Sequence, residues 1–343
     1  MRAPPAPRPL LVLLAVLVLA SLCDAYSYEK GPSLKTIRSP CPGYYCGRTE
    51  FNSTHNSACG RCPRGHKVAN NTHSLCQPCE DAPESYDWFF LAFHAMIVVT
   101  LHWSSVDYSV FCRSLTPAVV GMHAAAALEV AAAAAATLLI YGPTEAGYGR
   151  LNICRVRHVS DWYPYFHNPS PNYEETLYCT QEVVFPLFTM VFTFHFLCVA
   201  LMLVVRPLLA SRLLPQRGRS TVYAALHFLP LLSLVHAVLG GLVYFTYPFI
   251  VFVISLVSTA SHLAFKLDQT PRGLLLGTVT DSRNLVVMLA HWTLHAFGIC
   301  AITQLNPDYF SAWLLALVPL PTLFYIATAR FTDPSNFSPE TTS

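Results

Sequence analysis

Seven mostly apolar stretches fill this chain between residues 88 and 328, and they restrict its fold more than any other feature. Crossing the apolar core of a bilayer takes roughly 20 residues of helix. Only 12% of the residues are Asp, Glu, Lys or Arg, about half the share of a soluble domain. The sequence therefore predicts an all-α polytopic membrane protein with seven transmembrane helices, near residues 88–106, 117–141, 183–205, 222–242, 245–265, 285–303 and 312–328.

The fourth and fifth stretches run together without a polar interruption from residue 222 to residue 265. This length is about twice what one crossing needs. Helix breakers and interfacial aromatic residues cluster near its middle, and we expect a turn there. The cluster consists of Gly240, Gly241, Tyr244, Tyr247 and Pro248.

Residues 1–25 have the composition of a secretory signal peptide. Arg2 and Arg8 precede an apolar run that is too short to cross a bilayer, and the small residues Cys23 and Ala25 follow it. We therefore exclude this segment from the mature fold, which places the next residues in an oxidising compartment.

A cysteine-rich module is predicted over residues 26–87. A core of this size needs covalent or metal staples. Three disulfides are the favoured interpretation, and a zinc ribbon is the alternative, because two C-x-x-C pairs match zinc-ligand spacing. Asn52 and Asn70 begin sequons that we predict to be glycosylated. The cysteines are Cys41, Cys46, Cys59, Cys62, Cys76 and Cys79.

A second extramembrane segment, residues 142–182, carries Cys154 and Cys179, which we predict to form a disulfide. Seven or more aromatic residues lie in it. Long ordered loops are often functional, but the segment could equally be a cap packed on the helices.

A lumenal module followed by seven crossings places the tail, residues 329–343, in the cytosol. Short-loop basic residues agree with this orientation, because nine fall on the predicted cytosolic side and three on the lumenal side. The net charge of +2 gives no basic surface for nucleic acid. The nine are Arg113, Arg206, Arg212, Arg217, Arg219, Lys266, Arg272, Arg283 and Arg330.

Among the ionisable residues within the predicted spans, three are considered for a functional role. Glu129 interrupts an alanine-rich span, either joining helices as a protonated or His-bonded group or serving a proton or ion relay. His291 and His295 are four residues apart, which suits interhelical hydrogen bonding and, as a weaker alternative, a metal.

Motifs for phosphate binding, a serine nucleophile or kinase chemistry are absent. No catalytic residue or cofactor is therefore predicted. Two alternatives stay open: an intramembrane zinc hydrolase using His291 and His295, and a seven-helix ligand receptor. The zinc site would draw further ligands from His102, His123, His195, Glu129 and Asp107.

Several long motifs occur in one order between Cys41 and Pro334, and with them the chain resembles the c-Jun N-terminal kinase-associated membrane protein family. Two features depart from that pattern: the signal-like extension before the module, and a first cytosolic loop whose one basic residue is Arg113. The motifs are residues 43–47 (GYYCG), 59–65 (CGRCPRG), 76–79 (CQPC), 83–88 (PESYDW), 160–163 (SDWY), 168–171 (NPSP), 206–209 (RPLL), 291–292 (HW) and 294–296 (LHA).

The resemblance implies a non-enzymatic scaffold in the endoplasmic-reticulum membrane. It implies binding of the stress kinase, that is Jun kinase, and recruitment of proteasomes, ubiquitin ligases and other factors of endoplasmic-reticulum-associated degradation. Residues 206–221, 266–284 and 329–343 are the predicted cytosolic segments for such partners, and membrane lipid surrounds the spans.

Overall fold

The computed structural model describes residues 41, 45–52, 55–68, 74–110, 116–142, 151–163, 184–214, 218–305 and 312–332. The predicted signal peptide, Asn70, Cys179 and the tail from residue 333 lie outside these residues. The described part contains seven α-helices: α1 (Ser85–Val110), α2 (Pro117–Tyr141), α3 (Leu187–Leu213), α4 (Gly218–Ala264), α5 (Pro271–Thr280), α6 (Ser282–Thr303) and α7 (Leu320–Thr332).

Five of these helices, α1 to α4 and α6, are long and apolar enough to cross a membrane. Their outward faces carry exposed Leu, Val and Phe side chains that would be unfavourable in water. This confirms the predicted class, a helical polytopic membrane protein with a disulfide-rich N-terminal module. Helix α2 also has a local start signal, since the Thr116 side chain accepts from the Val119 amide and Pro117 follows directly.

The predicted turn between the fourth and fifth spans is wrong, because α4 is one continuous helix of 47 residues. At about 1.5 Å per residue it is roughly 70 Å long. Pro248 removes a single backbone bond, and the remaining backbone groups still need partners in an apolar setting. Gly240 and Gly241 have a different role, in receiving a tryptophan from outside the helix. The structure therefore does not show the seven separate crossings that were predicted, and five of its described helices are long and apolar enough to cross a membrane.

The C-terminal part also differs from the predicted spans. A predicted cytosolic loop contains α5, and the predicted seventh span is a 3₁₀ helix (Ala312–Leu317) followed by α7. Pro319 stands between these two pieces, and Pro321 lies in the first turn of α7, where proline is tolerated better than in a helix interior.

The module consists of short antiparallel strand pairs, β1 with β4, β2 with β3 and β5 with β6. Two disulfides, Cys41–Cys59 and Cys62–Cys76, join residues within it. Both pairings use sulfurs that a zinc ribbon would need as thiolates. The strands are β1 (Cys46–Gly47), β2 (Glu50–Asn52), β3 (His55–Asn56), β4 (Gly60–Arg61), β5 (His66–Val68) and β6 (Cys76–Pro78).

The predicted pairing of Cys154 with Cys179 is also wrong, because Cys154 is bonded to Cys79. A backbone bridge between Asp81 and Ile153, in which the Ile153 amide donates to the Asp81 carbonyl at 2.8 Å, holds the two segments together. The prediction of three disulfides confined to the module fails for the same reason. Sequence spacing cannot reveal that the second extramembrane segment folds back onto the module.

Helices α1 to α3 and the first half of α4 form a bundle with two ends. At the module end, α1 begins beside the cysteine module, and the largest buried cluster gathers there. At the far end, α1 stops, α2 begins, α3 stops and α4 begins, around buried Val106, Val119, Met122 and Ala210. The module-end cluster includes Tyr86, Phe90, Phe93, Trp162, Leu187, Tyr244 and Tyr247.

Candidate functional site

A buried charge cluster joins three helices between the two ends. Arg206 of α3 donates through Nη2 to Glu129 Oε2 of α2, and its Nη1 lies 2.7 Å from His102 Nδ1 of α1. Arg206 and His102 are fully buried, and Glu129 is 5% exposed. Arg206 is therefore a core residue, and its prediction as a cytosolic loop residue is wrong.

The geometry fixes how the three groups share protons. A guanidinium has only donors, so the His102 Nδ1 must accept from Arg206. Glu129 thus joins helices, one of its two predicted roles, but through Arg206 rather than a histidine or a shared proton. An isolated charge at this depth would be costly, and the pairing compensates both charges in a defined register. Glu129 Oε1, Arg206 Nε and His102 Nε2 are buried without a hydrogen-bond partner among the described residues.

Three further buried histidines come together from α1, α3 and α4. The His94 ring centroid lies 5.7 Å from that of His195 and 5.2 Å from that of His236. The Ser233 hydroxyl donates to a backbone carbonyl of its own helix, so it accepts from His195 Nδ1 at 3.0 Å. His236 Nε2 donates to the Phe188 carbonyl at 3.1 Å. These bonds fix the tautomers of two of the three rings and link α3 to α4.

A tryptophan from the second extramembrane segment closes the module end of the helices. The 3₁₀ helix Val159–Trp162 places the indole of Trp162 against Phe90, at 6.0 Å between ring centroids, and against Tyr244, at 5.4 Å. The backbone of α4 approaches closely here, since a Cβ added to Gly241 would lie 2.5 Å from the Trp162 Cβ. The paired glycines therefore make room for the indole.

Tyrosine hydroxyls fasten α1 to α4 beside this tryptophan. Tyr86 donates to the Tyr244 carbonyl at 2.6 Å, and Tyr247 donates to the Tyr86 carbonyl at 3.0 Å. Tyr244 donates to Asp87 Oδ1 at 2.7 Å. Because each bond crosses between helices, the residues predicted to break α4 instead attach it to α1.

Asp161 connects the same segment to the cysteine module. Its Oδ1 accepts from the Tyr45 hydroxyl at 2.9 Å, and its Oδ2 accepts from the Arg157 and His158 amides at 2.8 Å. Burial raises the pKa of Tyr45 to about 12, so the phenol stays protonated and can donate at neutral pH. The module, the second segment and the helix ends thus form one clamp, comprising the Cys79–Cys154 disulfide, the Tyr45–Asp161 bond and Trp162.

The two metal candidates make separate contacts. His295 Nδ1 lies 2.7 Å from the Ser255 hydroxyl of α4, whereas the His291 ring faces His262, with centroids 5.7 Å apart. His295 is therefore engaged in an interhelical hydrogen bond, the favoured interpretation of this pair. Within the described ranges, no group of three His, Cys, Asp or Glu side chains is placed to hold a metal ion.

The other residues suggested as zinc ligands lie in different clusters. His102 and Glu129 contact Arg206, and His195 contacts Ser233. His123 Nε2 pairs with Asp107 Oδ1 at 3.1 Å. The geometry thus gives the zinc-hydrolase alternative no assembled site among the described residues.

Sequence reasoning missed two residues that organise the structure. Arg206 stands at the end of an apolar run, where a loop cation is the ordinary interpretation, yet the need of Glu129 for a partner was a usable signal. Trp162 was one of many aromatic residues in its segment, and only the paired glycines of α4 mark where it docks.

Together, these contacts define a polytopic helical membrane protein whose extramembrane module is joined by a disulfide to a segment that packs on one end of the bundle. The contacts are an ion pair, hydrogen bonds and ring packing between elements of the fold.

Comparison with known proteins identifies the family. The profile of the family described as "JNK1/MAPK8-associated membrane protein" matches residues 41–334, so the chain belongs to this family. The mouse protein of that name is 39% identical over 312 residues, covering 89% of this chain and 97% of the relative. The human protein is 38% identical over the same coverage. A Caenorhabditis elegans homolog is 31% identical, covering 88% of this chain and 95% of the relative. No solved structure matches.

Proposed function

We propose that the protein is a non-enzymatic scaffold of the endoplasmic-reticulum membrane that holds Jun kinase and protein-degradation factors at the membrane surface. Membership of the family over residues 41–334 is the observation that carries the proposal. The relatives, matched over nearly their whole length, are named for association with JNK1/MAPK8. The proteasome and ubiquitin-ligase partners rest on the family resemblance.

The far end of the bundle is the proposed partner-binding face. Of the three segments first assigned to this role, residues 206–221 lie mostly in α3 and α4, and residues 266–284 contain α5. The exposed cations Arg212 and Arg219 mark the far end. They are the groups that we assign to soluble partners at the far end. The tail from residue 333 is a second assigned segment, and it follows α7, which packs beside Leu263 near the other end of α4.

Affinity purification from membranes tests this assignment. We expect the wild-type chain to recover Jun kinase and proteasome or ubiquitin-ligase subunits. Recovery should fall severalfold for Arg212→Ala/Arg219→Ala and for a chain ending at Thr332. The exposed Arg157, at the opposite end of the bundle, supplies the matched control, since Arg157→Ala should leave recovery unchanged. Equal recovery by all four proteins would refute the proposed face.

Orientation needs its own test because α4 is continuous. We propose a lumenal module, since disulfides persist in oxidising compartments, and a cytosolic tail. Deglycosylation should then shift the mobility of the wild-type protein but not of Asn52→Gln/Asn70→Gln. A shift that depends on Asn336, within the tail sequon, would instead place the tail in the lumen. Asn336→Gln is therefore the decisive companion variant.

A further inference from the structure

The connection between α4 and α6 turns some polar side chains inward and several large apolar side chains outward. Gln269 Nε2 donates to the Leu263 carbonyl at 3.1 Å and to the Lys266 carbonyl at 2.6 Å. Lys266 Nζ donates to Asn284 Oδ1, and Asn284 Nδ2 donates to the Gly277 carbonyl at 3.0 Å. These three polar side chains thus turn inward and bond to groups at the ends of the helices, whereas Asp268, Thr270, Asp281 and Arg283 are exposed.

Large apolar side chains of the same connection point outward. Phe265 is 88% exposed, and Leu267 is completely exposed. Helix α5 continues this surface with three exposed side chains, Leu275, Leu276 and Val279, on the face opposite its buried residues, Leu274 and Thr278. Exposing this apolar surface to water would be unfavourable and is unusual for a loop.

The location of α5 identifies what covers that surface. The helix lies between the last residue of α4 and the first residue of α6, two helices that are each long and apolar enough to cross a membrane. Leu274 anchors it in a cluster with Leu263 of α4, Met288 of α6 and Ile326 of α7. The neighbouring outward side chains of α6 and α7, including Val286 and Phe324, are also exposed and apolar. The α5 face therefore continues the lipid-facing surface of the spans.

The charges around α5 fit a bilayer interface but are not numerous. Arg272 lies on the outward face of α5, one turn before Leu276, where its long side chain can reach the headgroups. Residues 266–284 contain three basic and two acidic side chains. Apolar insertion must then supply most of the affinity, with little dependence on lipid charge.

We propose that α5 is an interfacial helix which inserts Leu275, Leu276 and Val279 into the headgroup region of the bilayer, and that phospholipid is its partner. The helix thereby anchors the connection between α4 and α6 to the membrane surface and withdraws it from soluble partners. This role holds whichever side of the membrane the helix occupies.

Site-specific photocrosslinking tests the proposal on the full-length protein in phosphatidylcholine nanodiscs. A photoreactive amino acid at Leu276, an exposed position that tolerates substitution, should form phospholipid adducts. The yield should exceed that from Thr278, which faces the bundle two residues away, by at least about fivefold, since only one of the two faces would contact lipid. Added anionic lipid or salt should change the Leu276 yield less than about twofold.

Two results would overturn this assignment. One is a lipid yield at Leu276 no greater than the yield from Arg157, an exposed residue of the second extramembrane segment. The other is photocrosslinking in native membranes that joins Leu276 to a protein instead of lipid, which would make α5 a protein-docking helix.

Discussion

Two regions of this molecule join their helices by different chemistry. In the region of α1, α2 and α3, the buried Glu129–Arg206 pair with His102 fixes the helices by charge. In the region of α6, α7 and the second half of α4, neutral bonds do this: Ser255 with His295, and Trp292 with Thr322 at 2.9 Å. Removing one partner of a buried charge pair costs much stability, because the other charge is left buried and unpaired. Removing one partner of a neutral hydrogen bond between membrane helices costs much less. The first region should therefore be rigidly specified, and the second should tolerate substitution.

The difference between the two regions is tested most strongly by removing one member of the charge cluster. Glu129→Leu leaves Arg206 buried and unpaired, so we expect a loss of about 3–5 kcal/mol in the free energy of unfolding. Thermal unfolding of purified protein in nanodiscs measures it. The double variant Glu129→Leu/Arg206→Met should recover most of the loss because no charge remains. A single variant as stable as wild type would show that the pair does not hold the bundle.

Opening the clamp at the module end should cause the next largest loss in the free energy of unfolding. Replacing both Cys79 and Cys154 with Ala opens a link between residues 75 positions apart in sequence, and we expect a loss of about 2–5 kcal/mol. Peptide mapping under non-reducing conditions checks the pairing directly. Recovery of a peptide joining Cys154 to Cys179 would contradict the structure.

The approach of Trp162 to α4 gives a smaller effect. Gly241→Ala places a methyl group against the Trp162 Cβ, and the resulting overpacking should cost about 1–3 kcal/mol. Gly277→Ala in α5 is the matched helical control, because an added Cβ there meets nothing within 4 Å. It should be neutral or stabilising by up to about 1 kcal/mol. Similar losses in both variants would mean that helix propensity, not the indole, explains Gly241.

The smallest loss in the free energy of unfolding is expected in the region of α6, α7 and the second half of α4, where the bonds are neutral. Ser255→Ala removes the bond to His295, and hydrogen bonds between membrane helices contribute about 0.6 kcal/mol on average. Ser258→Ala, whose hydroxyl bonds only to its own helix, is the control for thermal unfolding. A loss with Ser255→Ala as large as that with Glu129→Leu would remove the distinction between the two regions.

Local sequence signals predicted individual helices well. The predicted span 117–141 coincides with α2, because an alanine-rich run bounded by Thr116-Pro117 and Gly142 carries its own start and stop signals. Helices α1 and α6 were placed within about four residues for the same reason: helix formation depends on nearby residues and on the apolar length that a bilayer demands. Helix α3 runs eight residues beyond its predicted end at residue 205.

The failures all involve contacts between segments distant in sequence. Gly240, Gly241 and Pro248 were interpreted as a turn. The two glycines instead make room for Trp162, which lies far away in the sequence and cannot be foreseen from α4 alone. Arg206 resembled a loop cation until α2 brought Glu129 beside it. Cys79 and Cys154 are partners because a backbone bridge aligns their segments. The spacing of cysteines in the sequence does not predict that these segments meet.

The sequence by itself determined the helical membrane class, the cysteine-rich module and the family resemblance, since composition, apolar length and ordered motifs are properties of the chain. Tertiary structure decided the continuity of α4, the partner of Glu129, the clamp at the module end and the outward apolar face of α5. Each of these depends on which groups satisfy one another in space. Where water is scarce, an unpaired polar group is costly enough for that pairing to override local preference.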